Sequence, residues 1–142
     1  MIKPKFYYLT SLFFIFVLPA CVVAYFVLDR IPLPNLVTFI VGITVLGSIW
    51  DIWATRHGRR DPIWLWQFNF KDTLNVKLFD LPVEEYLFYI ASSVYIIFIW
   101  EGIRYALETG SLLMYVLLPF VGIWSLLLTL VPYVIRAKGD KF

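Results

Sequence analysis

The sequence predicts an all-α integral membrane protein, a bundle of four transmembrane helices, and three observations carry that prediction. Hydrophobic residues make up 61% of the chain and aromatic residues 20%, with a mean hydropathy of +0.81, more than a water-soluble domain of 142 residues can hide in its interior. Four segments, roughly residues 6–28, 36–53, 82–103 and 112–135, have the ~20 predominantly apolar residues that cross a bilayer. Between the second and third lies the one polar-containing connection of real size, about residues 54–81. No linker or low-complexity tract divides the chain, so residues 1–142 are expected to form a single membrane domain.

The first span opens after "MIKPK", carries Thr10 and Ser11, and ends at "DRIPLP", where Asp29, Arg30, Pro32 and Pro34 make a short turn. "LPAC" (Leu18–Cys21) loosely imitates a signal-peptide cleavage site. The apolar run continues past it to Leu28, however, and Pro19 suits a cleavage site badly, so a Pro-kinked span is expected instead. One cysteine excludes an internal disulfide, and Cys21 reads as a small packing residue.

The second span places Thr44, Gly47, Ser48 and Asp51 at i, i+3, i+4 and i+7, a small and polar stripe that lets another helix approach closely. Asp51 stands apart from its neighbours, because an acid at the lipid boundary costs a few kcal/mol unless it finds a partner or a wet pocket.

In the connection, Trp64, Trp66, Phe68 and Phe70 recur every second residue, the period of a strand. A turn at Lys71–Thr73 would return the chain through Leu74, Val76 and Leu78, giving a short β-hairpin on the membrane interface, where Trp settles. His57, the single histidine, lies among arginines and reads as a solvated loop residue, with no metal site implied.

The third span begins "FDLPVEEYLFYI". Asp80 is placed to cap it, Pro82 suits its first turn, and an acid there meets the positive end of the helix dipole. Capping accounts for one carboxylate but not for both Glu84 and Glu85. Glu85 shares a face with Tyr89, Ser92 and Ser93, and Glu84 shares one with Phe88 and Ala91. At the far end of this span, Glu101 and Arg104 are spaced to pair. The fourth span is punctuated by Pro119, Gly122, Ser125, Thr129 and Pro132, another small-residue face.

Orientation follows from the basic residues. With four spans, both termini and the central connection share a side, which holds Lys3, Lys5, Arg56, Arg59, Arg60, Lys71, Lys77, Arg136, Lys138 and Lys141, against Arg30 and Arg104 opposite. Ten against two places the termini and the connection in the cytoplasm and the chain in the cell membrane as a multi-pass protein. The same basic surface suits an anionic leaflet, and no nucleic-acid partner is implied.

Topology therefore brings Asp51, Glu84 and Glu85 to one membrane depth. Desolvation and mutual repulsion both disfavour ionisation of crowded carboxyls, so one of the group is expected to hold a proton while a neighbour remains ready to accept one. Trp50, Trp53, Trp64, Trp66, Tyr86, Phe88 and Tyr89 are the candidate lining, and their π faces stabilise a passing cation. Acid, base, aromatic walls and access from lipid point to carbocation chemistry on an isoprenoid.

At these residues the chain resembles a known family. "SIWDIWATRHG" (Ser48–Gly58), an aromatic connection and "LPVEEYLFYI" (Leu81–Ile90) are similar to the core of the heterodimeric lycopene cyclases of carotenoid biosynthesis. That signature pairs an acid after a Trp at the end of one span with Pro-x-Glu-Glu at the start of the next. The similarity runs from about Tyr7 to Arg104. It implies a membrane isomerase that closes the acyclic ends of lycopene, or a related carotenoid, into six-membered rings, with Asp51, Glu84 and Glu85 as catalytic positions. Glu85 is the expected proton donor, and Glu84 or Asp51 the orienting or accepting partner.

No cofactor is expected: "GITVLG" (Gly42–Gly47) lies inside a span and lacks the spacing of a dinucleotide fingerprint. The motif occurs once, whereas the resemblance implies two modules per active enzyme, so a homologous second subunit or self-association is expected. The connection is longer and more basic than the family leads one to expect, and a fourth span follows the usual three. The alternative function is a non-catalytic membrane partner or scaffold in carotenoid biosynthesis. A prenyl-endopeptidase-type protease also uses a Glu-Glu pair, but it requires histidines deeper in the fold, which this chain lacks.

Cysteine-labelling of single-cysteine variants in intact cells should leave both termini and residues 54–81 unlabelled by an impermeant reagent. Labelling of the central connection from outside would reverse the assigned orientation.

Overall fold

The computed structural model describes residues 6–58, 60 and 72–139, with side chains to residue 131. Helices dominate, in the order α1 (Tyr7–Leu12), a π-helical turn (Phe13–Val17), α2 (Leu18–Val27), a 3₁₀ turn (Leu28–Arg30), α3 (Leu33–Gly58), α4 (Val83–Thr109) and α5 (Leu112–Gly139). Two two-residue strands, β1 (Lys77–Leu78) and β2 (Leu81–Pro82), precede α4. Among the described residues, four stretches are long and apolar enough to cross a membrane: Tyr7–Arg30, Leu33–Gly58, Val83–Thr109 and Leu112–Val131. The all-α, four-span class holds.

Two boundaries move outward from the sequence expectation. α3 runs on through Arg56 and His57, and α4 through Arg104 and Glu108, because a helix outlasts its apolar stretch wherever its last polar turns reach the interface. His57 therefore belongs to a helix and not to a loop, with its ring stacked on Trp53 at 5.4 Å. Cys21 is exposed on α2 and is not a packing residue.

The chain forms two compact units. One takes residues 13–32 and 94–142. Its core is Ala20, Val23, Val27, Phe98, Ala106, Met114 and Val121. The kink expected at Pro19 takes the form of the π-helical turn just before it. Proline has no N–H to give to the carbonyls one turn earlier, where Phe14 and Ile15 stand. α5 supplies the missing donors: Trp124 Nε1 donates to the Phe14 carbonyl at 3.0 Å and Ser125 Oγ to the Ile15 carbonyl at 2.9 Å. Arg104 donates to Glu101 at 2.8 Å as its spacing predicts, and Arg30 bonds to Glu108 and stands 3.9 Å from Glu101, tying the 3₁₀ turn to α4. α4 ends at Gly110, whose φ of 66° is the left-handed helix stop that glycine adopts without a Cβ penalty.

The other unit takes residues 1–12 and 33–93. Here β1 and β2 pair antiparallel, Lys77 with Pro82 and Leu78 with Leu81, around a turn at Phe79 and Asp80, both at positive φ (49° and 73°). The short hairpin is thus present, but it lies later in the chain than the period-two aromatic run; residues 64–70 fall outside the described residues. Asp80 does not cap α4 as expected. It sits in the hairpin turn, and its carboxylate faces Arg56 of α3 at 3.4 Å. Pro82 belongs to β2, immediately ahead of the helix.

Ser125→Ala should lower stability in detergent unfolding by about 0.5–2 kcal/mol, the range for a hydrogen bond between membrane helices. Adding Pro19→Ala, which restores an N–H, should recover part of that loss. Equal stability of Ser125→Ala and the native chain would show that the Ile15 carbonyl has no need of the hydroxyl.

Candidate functional site

The three acids singled out in the sequence lie in one unit and are all buried. Asp51 and Glu84 are 0% exposed and Glu85 is 7% exposed. Asp51 comes from the third-last turn of α3, and the glutamates from the first turn of α4. The link between the two helices is Tyr89, one turn beyond Glu85, which reaches Asp51 of α3. Among the described residues, no lysine or arginine pairs with any of the three.

Neutral donors take the place of cations. Tyr8 of α1 donates its hydroxyl to Glu85 Oε2 at 2.7 Å. Tyr89, one turn beyond Glu85 on α4, donates to Asp51 Oδ2 at 2.6 Å. The backbone N–H of Leu74 donates to Glu84 Oε1 at 2.5 Å. Among the described residues, Asp51 Oδ1 and Glu84 Oε2 are buried with no partner. A buried carboxylate oxygen without a donor costs well over 1 kcal/mol, so the site has acceptor capacity that its own walls do not use.

Local sequence explains how the side chains arrive. The stripe Thr44–Gly47–Ser48–Asp51 extends to Thr55, and Ser48, Asp51 and Thr55 are all buried. Gly47 is the reason Tyr89 can reach Asp51: a Cβ built at position 47 would overlap the Tyr89 ring. Below the ring, Ser93 Oγ donates back to the Tyr89 carbonyl at 2.6 Å, keeping a fully buried serine satisfied within its own helix. The hairpin is held from both sides. Tyr86 donates its hydroxyl to the Leu78 carbonyl at 2.8 Å, and Val83 N–H donates to the Val76 carbonyl at 2.9 Å. The segment carrying Leu74 is thereby tied to the start of α4.

The aromatic lining expected from the sequence is only partly gathered. Tyr89 is at the acids, and Phe88 sets its ring edge-on to Tyr89 at 5.4 Å. Tyr86 turns to the hairpin. Trp50 and Trp53 pair with each other at 5.2 Å and are half exposed (55% and 50%). Trp53 lines a depression of about 340 Å³ with Ile49, Ile52, Arg56, His57 and Arg60, none of them one of the acids. Trp64 and Trp66 lie outside the described residues.

Two contributors escaped the sequence reading. Tyr8 carried no signal except its place as a phenol three residues before Ser11 in an aliphatic span. The Leu74 amide is a backbone donor that no side-chain pattern marks. Among the described residues, no group of three or more His, Cys, Asp or Glu side chains has the geometry to hold a metal ion.

No family model, curated protein or solved structure matches the chain.

Glu84→Ala should release the Leu74 amide, raising its hydrogen-exchange rate roughly 10-fold or more, since a bond to a charged acceptor is worth about 1.5–3 kcal/mol. Unchanged protection at Leu74 would mean that the carboxylate does not anchor the segment.

Proposed function

We propose that this chain is a subunit of a membrane carotenoid cyclase, an isomerase that forms six-membered rings from the acyclic ends of lycopene or a related polyene. One observation carries the proposal: three carboxyl groups buried together in membrane-length helices, held by hydroxyl and amide donors, with no lysine or arginine paired to them among the described residues. Crowding and an apolar setting disfavour ionisation of carboxyls, and an acid group in a greasy setting is what acid-catalysed alkene cyclisation requires.

The reaction balances without electron transfer. A carboxylic acid, assigned to Glu85, adds its proton to the terminal double bond, leaving a tertiary cation. The internal double bond attacks that cation and closes the ring. A neighbouring carboxylate then removes one ring proton to form the product alkene, and proton exchange restores the acid. Asp51 is the better partner for this return step. It is bonded by Tyr89, one turn from Glu85, and keeps one oxygen without a partner among the described residues, whereas Glu84, though it too keeps one such oxygen, is tied to the Leu74 amide. In this reading the cation is faced by Tyr89, which bonds Asp51, and by Phe88 beside it.

The proposed setting is the cell membrane, both termini cytoplasmic, with a second homologous module completing the enzyme. The scaffold reading draws its support from Glu84, whose bond to the Leu74 amide is architectural.

In a lycopene-accumulating bacterium, co-expression with a candidate partner module should yield cyclised pigment. Glu85→Gln and Asp51→Asn should each reduce it on the order of 100-fold or more while membrane insertion persists. Full pigment conversion by both variants would refute a catalytic role and favour the scaffold.

A further inference from the structure

We propose that Tyr8 and Tyr89 are the positioning residues of Glu85 and Asp51, each phenol occupying one oxygen of its acid so that the other, Glu85 Oε1 or Asp51 Oδ1, is the one left to carry or accept a proton. Its kinetic arm rests on the cyclase reading; its structural arm does not.

The argument starts from the symmetry of a carboxyl group. A carboxylic acid can carry its proton on either oxygen and can turn about its last bond. In water this is harmless, but in a buried site it scatters the proton over positions of which only some face a reactant. Fixing one oxygen with a strong donor removes that freedom. Tyr8 Oη does this for Glu85 Oε2 at 2.7 Å, and Tyr89 Oη for Asp51 Oδ2 at 2.6 Å. Both bonds have the short length of a hydroxyl donating to a carboxyl oxygen. Asp51 Oδ1 is left buried and without a partner among the described residues, and the Tyr89 bond brings Asp51 beside the turn of α4 that follows Glu85.

The donors are suited to the task. A phenol reaches further than a serine hydroxyl on a ring with only two rotatable bonds, so little freedom is lost in holding it. The two rings come from different elements: Tyr8 from α1, and Tyr89 from the same helix as Glu85 but serving the acid of α3. The pair is therefore held from outside as well as from its own helices. Gly47 belongs to the device, since any Cβ at that position would meet the Tyr89 ring and lift its hydroxyl from Asp51.

The test is infrared difference spectroscopy on hydrogen–deuterium exchange, with the full chain in lipid vesicles at neutral pH. The native chain should show a protonated-carboxyl C=O band that is absent in Glu85→Gln or Asp51→Asn. Tyr8→Phe and Tyr89→Phe keep the rings and the packing, and in each the band should move to higher wavenumber, as a carbonyl does on losing a hydrogen bond. Gly47→Ala should reproduce the Tyr89→Phe spectrum and not the Tyr8→Phe spectrum. A purely packing role for the tyrosines predicts no movement, so an unmoved band in both Phe variants, or no protonated-carboxyl band in the native chain, overturns the proposal.

In pigment assays with the partner module, each Phe variant should lose roughly 10- to 100-fold in kcat with KM within about twofold, the signature of a misaligned reacting group. A moved band with no cyclisation by the native pair would sink the cyclase reading and leave the positioning role standing.

Discussion

Three buried acids, with no counter-cation among the described residues, set the terms for half of this protein. Leaving such groups ionised in an apolar interior costs several kcal/mol each, and in lipid no water is at hand to share the burden. Every nearby feature answers that demand with a neutral donor: a phenol from the first span, a phenol one turn along the third, and a backbone amide from the segment before the hairpin. Glycine at position 47 and the Tyr86 bond to the hairpin then read as conditions for those donors to arrive.

The other unit meets the same rule at its backbone. Pro19 removes an N–H from the first span, and one turn earlier the Phe14 and Ile15 carbonyls accept the indole of Trp124 and the hydroxyl of Ser125. A proline is tolerated in a membrane helix because another helix brings donors to it. The cost of an unmet polar group, more than any gain in apolar contact, explains why these side chains sit where they do.

The division of labour between Glu84 and Glu85 bears on function. Adjacent residues on a helix point about 100° apart, so two neighbouring acids cannot serve the same partner. Glu84 turns to the Leu74 amide and holds the chain ahead of the helix; Glu85 turns to Tyr8. A motif of two acids thus combines an anchor with a chemically available group, which is how a capping role and an acid–base role coexist in one turn.

Hydropathy was enough to locate the four spans, since the thickness of a bilayer sets their length and any acid inside them stands out by its cost. Asp51, Glu84 and Glu85 were legible for that reason, and Glu101 with Arg104 by helical spacing. What one chain segment does for another left no mark. Tyr8 looks like any interfacial aromatic until α4 brings Glu85 to it, and Asp80 has the look of a helix cap until Arg56 and the turn claim it. The hairpin settled on residues 77–82 because a left-handed turn at Phe79 and Asp80 and the bonds from Tyr86 and Val83 set its register, terms that alternation of hydrophobic residues does not contain. Periodicity and charge record what a residue must avoid, whereas the donor that makes an acid tolerable comes from far along the chain and is chosen only when the helices meet.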